Sequence, residues 1–220
     1  MENDSLPIRP QAEGTARDLI DAAIHVIGTK GFAAASTREI AKAAGTNVAS
    51  IAYHFGNKEG LRQACAREFA ARIGAIVQVA QVTEPETPDE AAKLLGDTIE
   101  RMGRVLIADG EMRAMVAFVL REVAEDGPGA DALYTALALP MHSRLCRLWA
   151  IASGEEAESD AVKLRVFSFI GQLVYFRIGA PIVARRLGWD AIGPDEAERI
   201  ARVLRGNFDA VLARARKADK

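Results

Sequence analysis

Apolar residues recur at helical spacing along nearly the whole chain, and no segment alternates with the two-residue period of a strand for long enough to matter. Ala16, Leu19, Ile20, Ala23, Ile24 and Ile27 predict a first helix over 15–29, punctuated by Gly28 and Gly31, with Phe32 following as a core plug. Ser36-Thr37-Arg38-Glu39 fits a capping box, in which Ser36 accepts from an early backbone N–H and Glu39 reaches back to the N–H of Ser36. The short second helix it opens carries Ile40, Ala41 and Ala44 and stops at Gly45. Asn47 caps a third, with Val48, Ile51 and Phe55 at spacings of three and four, before Gly56-Asn57. A long fourth helix opens at Lys58-Glu59, carries Leu61, Cys65, Phe69, Ile73, Ile76 and Val77, and ends before the acidic connector Glu84-Pro85-Glu86-Thr87-Pro88. Further helical patterns occupy 89–109, 112–125, 129–152, 157–178 and 194–216, separated by Gly110, Gly127-Pro128-Gly129, Gly154 and Gly193-Pro194. Residues 1–13 have no period. The pattern predicts an all-α chain with a flexible arm at 1–14, a three-helix head at 15–62 and, joined to it by the long fourth helix, a helical body within 63–220.

Composition agrees with this reading. Half of the 220 residues are hydrophobic and 26% are charged, as in ordinary globular chains, while only 6% are aromatic. That length needs no metal or disulfide to complete a core. The formal charge of −2 provides no global basic field, so binding to nucleic acid must be local. Cys65 and Cys146 form no C-x-x-C pair and read as small core residues of a protein kept in a reducing cytoplasm. The first ten residues hold acids and two prolines but no apolar run, so no signal peptide is expected. Val166–Phe176 is the most apolar stretch; at eleven residues it predicts a helix buried on more than one side, not a membrane span.

Two short helices joined by Gly45-Thr46-Asn47 within a three-helix head have the layout of a helix-turn-helix. A short capped helix that presents small residues at its start fits a major groove about 12 Å wide. Val48, Ala49 and Ser50 are such residues and are the candidates for base contact. Tyr53 and His54, further along, and Lys58, at the next helix start, are candidates for phosphate. Between 36 and 62, Arg38, Lys42, Lys58 and Arg62 face only Glu39 and Glu59, a mild local excess of positive charge.

The run from Phe32 to Leu61, FAAASTREIAKAAGTNVASIAYHFGNKEGL, resembles the DNA-binding signature of TetR/AcrR-family transcriptional regulators. The G-F plug, T-R-E-I-A, the A-A-G turn, Y-H-F and K-E-x-L all stand in register. The resemblance adds Thr37 and Arg38 to the DNA-contacting set. It also implies a homodimer that represses transcription at a double-stranded operator until a small molecule binds the body. Thr46 and Asn47 stand where the family usually has Val-Ser, Ala49 replaces a common Gly, and Ala52 occupies a position often held by Tyr, so no base preference carries over. Phe176-Arg177-Ile178-Gly179-Ala180-Pro181 and Arg185-Arg186-Leu187-Gly188-Trp189 also resemble the C-terminal effector domain of one subgroup, the CerR type.

In the body, Phe118, Glu122, Tyr134, His142, Trp149, Phe169 and Phe176 combine apolar walls with a few polar groups, as an effector pocket requires. Arg121 and Arg177, embedded in apolar helices, are expected to pair with an acid such as Glu122 or to meet an anionic ligand group. The last helix offers one apolar stripe, Ile200, Val203, Leu204, Phe208, Val211 and Leu212, suited to a four-helix dimer seam. Three scattered histidines, His25, His54 and His142, form no metal set, and no nucleotide-binding or hydrolase motif occurs, so neither catalysis nor a cofactor is expected. The rival readings are an effector-independent regulator or activator and, more remotely, a helical enzyme whose head merely packs.

Overall fold

The computed structural model describes residues 10–77, 84–108, 110–124 and 128–218. Every regular element among them is helical: α1 (Pro10–Lys30), α2 (Thr37–Ala43), α3 (Val48–Phe55), α4 (Lys58–Val77), α5 (Pro88–Ala108), α6 (Gly110–Ala124), α7 (Pro128–Leu133), α8 (Leu139–Ser153), α9 (Asp160–Ile178), α10 (Ala180–Leu187) and α11 (Pro194–Ala218). The first helix begins at Pro10, five residues before the apolar period becomes visible, because proline is favoured at a first helical position. The predicted arm is therefore helical from Pro10, and residues 1–9 lie outside the described residues.

One other expectation is corrected, and one helix was not expected. The pattern over 129–152 is not one helix: a π-helical turn, Tyr134–Ala138, separates α7 from α8. Pro140 near the start of α8 explains this, since it has no N–H to donate to the preceding turn and its ring crowds the carbonyl four residues back. The run after Ile178 is a separate helix, α10, bent by 72° from α9. Pro181 stops α9 by the same chemistry, and a new helix starts beyond Gly179.

The chain forms two compact units, one comprising Met1–Phe69 with Ala114–Leu133, the other Ala70–Arg113 with Tyr134–Lys220. In the first, Leu19, Ala23, Ile24 and Ile27 of α1 are buried, as are Ile40 and Ala41 of α2, Ile51 of α3, Leu61, Cys65 and Phe69 of α4, and Met115 and Phe118 of α6. Helices α1 and α6 approach so closely at Gly28 that a Cβ there would lie 2.8 Å from the Ala114 carbonyl oxygen. Arg121 donates from Nε and Nη2 to the carbonyl oxygens of Gly28 and Thr29 at 3.0 and 3.1 Å, satisfying acceptors in the last turn of α1. Glu122 is wholly buried, and both its oxygens accept from Arg62 Nε at 2.7–2.8 Å. The acid expected to pair with Arg121 is thus held by Arg62. Geometry decides this, because Arg121 stands beside the open carbonyls of α1.

In the second unit, Trp149, Phe169 and Phe208 meet pairwise with ring centroids 5.7–5.9 Å apart. Leu95, Leu148, Val162, Val166 and Leu212 pack around them. Each aromatic buries 150 Å² or more in typical cores, so these three dominate the packing on the order of several kcal/mol. Ion pairs line the rim: Arg205 reaches Asp97, Glu100 and Asp209, and Arg104 reaches Glu100 and Glu198. Arg216 ties three segments, donating to the carbonyls of Ala152 and Pro88 and to the Asp89 carboxylate. Arg177, like Arg121, reaches a backbone carbonyl at a helix end, that of Ile107 at 3.2 Å. Helix α9 buries Val162, Val166 and Leu173 but exposes Leu164, Phe167, Tyr175 and Ile178, so one chain covers only one of its sides. No single helix among the described residues is long and apolar enough to cross a membrane.

Candidate nucleic-acid interface

The head is built from end caps. Ser36 Oγ accepts from the Glu39 N–H at 3.1 Å and starts α2, but Glu39 does not close the predicted box; it reaches Lys30 Nζ at 2.5 Å. The nearby ammonium outcompetes the backbone amide for the carboxylate. Helix α2 ends in a Schellman turn, with the Thr46 N–H donating to the Ala41 carbonyl and the Gly45 N–H to the Lys42 carbonyl. Gly45 takes the left-handed conformation that this turn needs, at φ +66°. One residue later Asn47 Oδ1 accepts from the Ser50 N–H at 3.1 Å and starts α3. The turn between α2 and α3 is therefore fixed by three consecutive residues with distinct roles. Asn57 does the same for α4, its Oδ1 accepting from Gly60 N–H at 2.9 Å, a cap that the sequence reading passed over as a helix break.

Along α3 the side chains divide cleanly. Ile51 is buried, whereas Val48, Ala49, Ala52 and Tyr53 are exposed, Tyr53 at 81%. Ser50 and His54 are half-buried, and the His54 ring meets the edge of Tyr53. On α2, Arg38 is exposed and Thr37 half-buried. These positions all belong to the first unit, and Ala52 is an exposed neighbour that the base-reading set omitted.

Lys58 and Arg62 differ from expectation. Lys58 Nζ lies 4.1 Å from the centre of the Phe32 ring and donates to the Phe32 carbonyl at 2.5 Å, while the Arg62 guanidinium lies 4.2 Å from the same ring. Phe32 is thus a half-buried platform for two cations rather than a core plug. Burial, reinforced by the neighbouring charge of Arg62, holds the Lys58 ammonium below the usual lysine range. An ammonium has three N–H donors, of which Phe32 takes one. Arg62 is buried with Glu122 and adds nothing to the surface charge that α2 and α3 present.

The nominated effector residues fall into both units. Phe118 and Glu122 are buried in the first. In the second, Trp149 is buried and donates its indole N–H to Glu155 at 2.6 Å, Phe169 packs against it, and Tyr134 is exposed. His142 stacks on Phe167 with centroids 3.9 Å apart, its Nε2 lies 3.1 Å from the Lys163 carbonyl and its Nδ1 3.6 Å from Cys146 Sγ. The Phe176 ring adjoins that of Tyr175. Burial pushes both cysteine thiols up, Cys65 most strongly, so each stays protonated as a small core group.

Comparison with known proteins agrees with this geometry. Residues 19–65 match the family described as bacterial regulatory proteins, tetR family, and residues 91–214 match the C-terminal domain of the HTH-type transcriptional dual regulator CecR. The chain belongs to the TetR family and is a DNA-binding transcriptional regulator of the helix-turn-helix type. The subgroup expected from its C-terminal motif is that of CecR: the chain is 31% identical to the Shigella flexneri CecR over 219 residues, 96% of each chain. It is also 28% identical to the HTH-type transcriptional regulator BetI of Brucella abortus (strain 2308), over 85% of this chain and 86% of that one. Among solved structures it shares its fold with a TetR-like transcriptional regulator from Rhodococcus sp. RHA1, at TM-score 0.63 and 18% identity, covering 93% and 98% of the two chains. It likewise resembles AibR, crystallised in complex with isovaleryl coenzyme A and operator DNA, at TM-score 0.64 and 20% identity, covering 87% and 96%.

Proposed function

We propose that this regulator is a homodimeric, cytoplasmic repressor that leaves a palindromic operator when a small molecule binds its body. The observation that carries the DNA half of this reading is α3, a short helix fixed at its start by Asn47 and carrying exposed small residues on a head whose core is otherwise closed. In this reading Val48, Ala49 and Ser50 form the end of α3 that enters the major groove, with Thr37, Arg38, Tyr53, His54 and Lys58 on phosphates. The dimer is supported by the uncovered apolar side of α9, Leu164, Phe167, Tyr175 and Ile178, together with Val203 and Val211 of α11. The side chains of Asn207 and Gln172 join these helices by a hydrogen bond of 2.9 Å. A two-fold dimer presents its recognition helices about 34–36 Å apart, or at a multiple of that, which requires a palindrome.

AibR supports a ligand-binding body, since it was crystallised in complex with isovaleryl coenzyme A and operator DNA. Acyl thioesters are therefore the first compounds to screen. Tyr134, His142, Phe169 and Phe176 are the lining positions to test before Phe118, Glu122 and Trp149, whose side chains neighbours enclose. To swing occupancy from 1:99 to 99:1, the effector must favour the released state by about 5.5 kcal/mol. CecR is named a dual regulator, which keeps activation as the second reading.

The test is selection of random duplex DNA on the purified chain, followed by anisotropy titration of the winner at two salt concentrations. An enriched palindrome bound far more tightly than bulk DNA is expected, and Lys58→Ala should weaken all sequences about equally and lower the salt slope by roughly 1. If no sequence is enriched, the reading fails. If no ligand ever changes operator affinity, the effector half fails alone.

A further inference from the structure

Resting on the regulator reading, we infer that α3 recognises thymine methyl groups, and that Ser50 positions the helix rather than reading a base. An account of the polar atoms leads there. Ser50 Oγ lies 2.9 Å from Thr46 Oγ1 and 3.4 Å from Asn47 Oδ1, and the same Asn47 oxygen accepts from the Ser50 N–H. The hydroxyls of Thr46 and Ser50 and the side-chain oxygen of Asn47 are engaged with one another. What the helix shows outward over that turn and the next is carbon: the isopropyl group of Val48 and the methyls of Ala49 and Ala52, followed by the Tyr53 ring.

Base chemistry then selects the partner. Guanine is read by arginine or lysine on O6 and N7, and adenine by the two ends of an Asn or Gln amide. Between its first residue and Tyr53, α3 has no Arg, Lys or Gln, and the Asn47 oxygen at its cap is engaged. The major-groove feature that carbon can match is the C5 methyl of thymine. A·T presents its own O4, N6 and N7 in the same groove, so the patch discriminates through the thymine methyl, which a G·C pair lacks. From Val48 to Ala52 the helix rises about 6 Å, less than two base-pair steps of about 3.4 Å, so the patch covers two or three neighbouring base pairs in each half-site.

The experiment uses the full chain and the winning palindrome from the selection above, resynthesised with deoxyuridine in place of thymidine at single positions, which removes one methyl and nothing else. The inference expects at least two thymines in each half-site core whose replacement weakens binding about 4-fold each, the cost of one methyl group leaving an apolar contact; replacement outside the core should have no effect. Ala49→Gly should weaken the parent operator and make one of those replacements neutral, a coupling that a general loosening of the head would not produce. Ser50→Ala should weaken winner and scrambled DNA by the same factor with the selected sequence unchanged, and Ser50→Thr, which keeps the hydroxyl, should restore binding. A winning core free of thymine, a deoxyuridine operator bound as tightly as the parent, or a new preferred base for Ser50→Ala overturns the inference and leaves the regulator reading standing. Failure to enrich any sequence overturns the regulator reading, and this inference with it.

Discussion

In the first unit Glu122 lies out of reach of water with its carboxylate held by Arg62, whereas the second unit keeps its carboxylates at the rim and packs the half-buried Phe169 against the buried Trp149 and Phe208. The head coheres through directional ties between named atoms: Arg62 to Glu122, Arg121 to the last carbonyls of α1, and backbone against backbone at Gly28. The second unit relies mainly on area, although Arg177 and Arg216 also donate to backbone carbonyls there. Directional ties tolerate little change, because one lost partner strands a charge or a carbonyl, while area can be redistributed among neighbouring side chains.

Four substitutions or conditions probe this contrast. Glu122→Leu, which removes the buried carboxylate that Arg62 Nε reaches at 2.7–2.8 Å, should destabilise the protein by about 3–5 kcal/mol, and adding Arg62→Met should recover most of the loss. Urea unfolding midpoints decide it, and a mild single mutant would show that the pair does not hold the head. Gly28→Ala should cost about 1–3 kcal/mol, since its methyl group would meet a backbone carbonyl that cannot yield. In the body, Leu95→Met conserves volume and should shift the melting temperature by an amount equivalent to about 1 kcal/mol or less; a loss as large as at Gly28 would erase the distinction.

The smallest effect is acid sensitivity of the body's rim. The hydrogen bond from Lys93, aided by Arg205, holds the Asp97 carboxyl below its ordinary range, and Arg104 does the same for Glu198. The unfolded chain has these groups near pH 4, so the stabilisation is complete above that value and fades as pH falls below it through the folded values. Melting curves at descending pH should show this loss in low salt and not in 1 M salt, because these groups lie near the surface.

Much of this arrangement was legible in the chain. The caps of α2 and α3 are local, set by Ser36 and Asn47 acting on amides three residues away, and sequence spacing records such bonds directly. One helix interruption governed by proline was harder: Pro140 breaks a continuous apolar pattern and periodicity alone reads through it, whereas α9 ends at Ile178 where the pattern ends. The fate of the arginines was out of reach. Nothing local says that Arg62 selects Glu122, sixty residues on, or that Arg121 turns to the carbonyls of Gly28 and Thr29. For the same reason the contact of Lys58 with Phe32, twenty-six residues earlier, leaves no local mark in the sequence. Long-range polar partners depend on which helices the fold brings side by side, and that information is spread over the whole chain.

The first unit is not a contiguous stretch of gene: residues 114–133 return to it after an excursion of more than forty residues into the other unit. A chimera made by splicing the segment before Phe69 onto a foreign body would carry Arg62 without Glu122 and Gly28 without the helix it was shaped to meet. Exchange of the whole first unit between chains therefore requires both of its segments to move together.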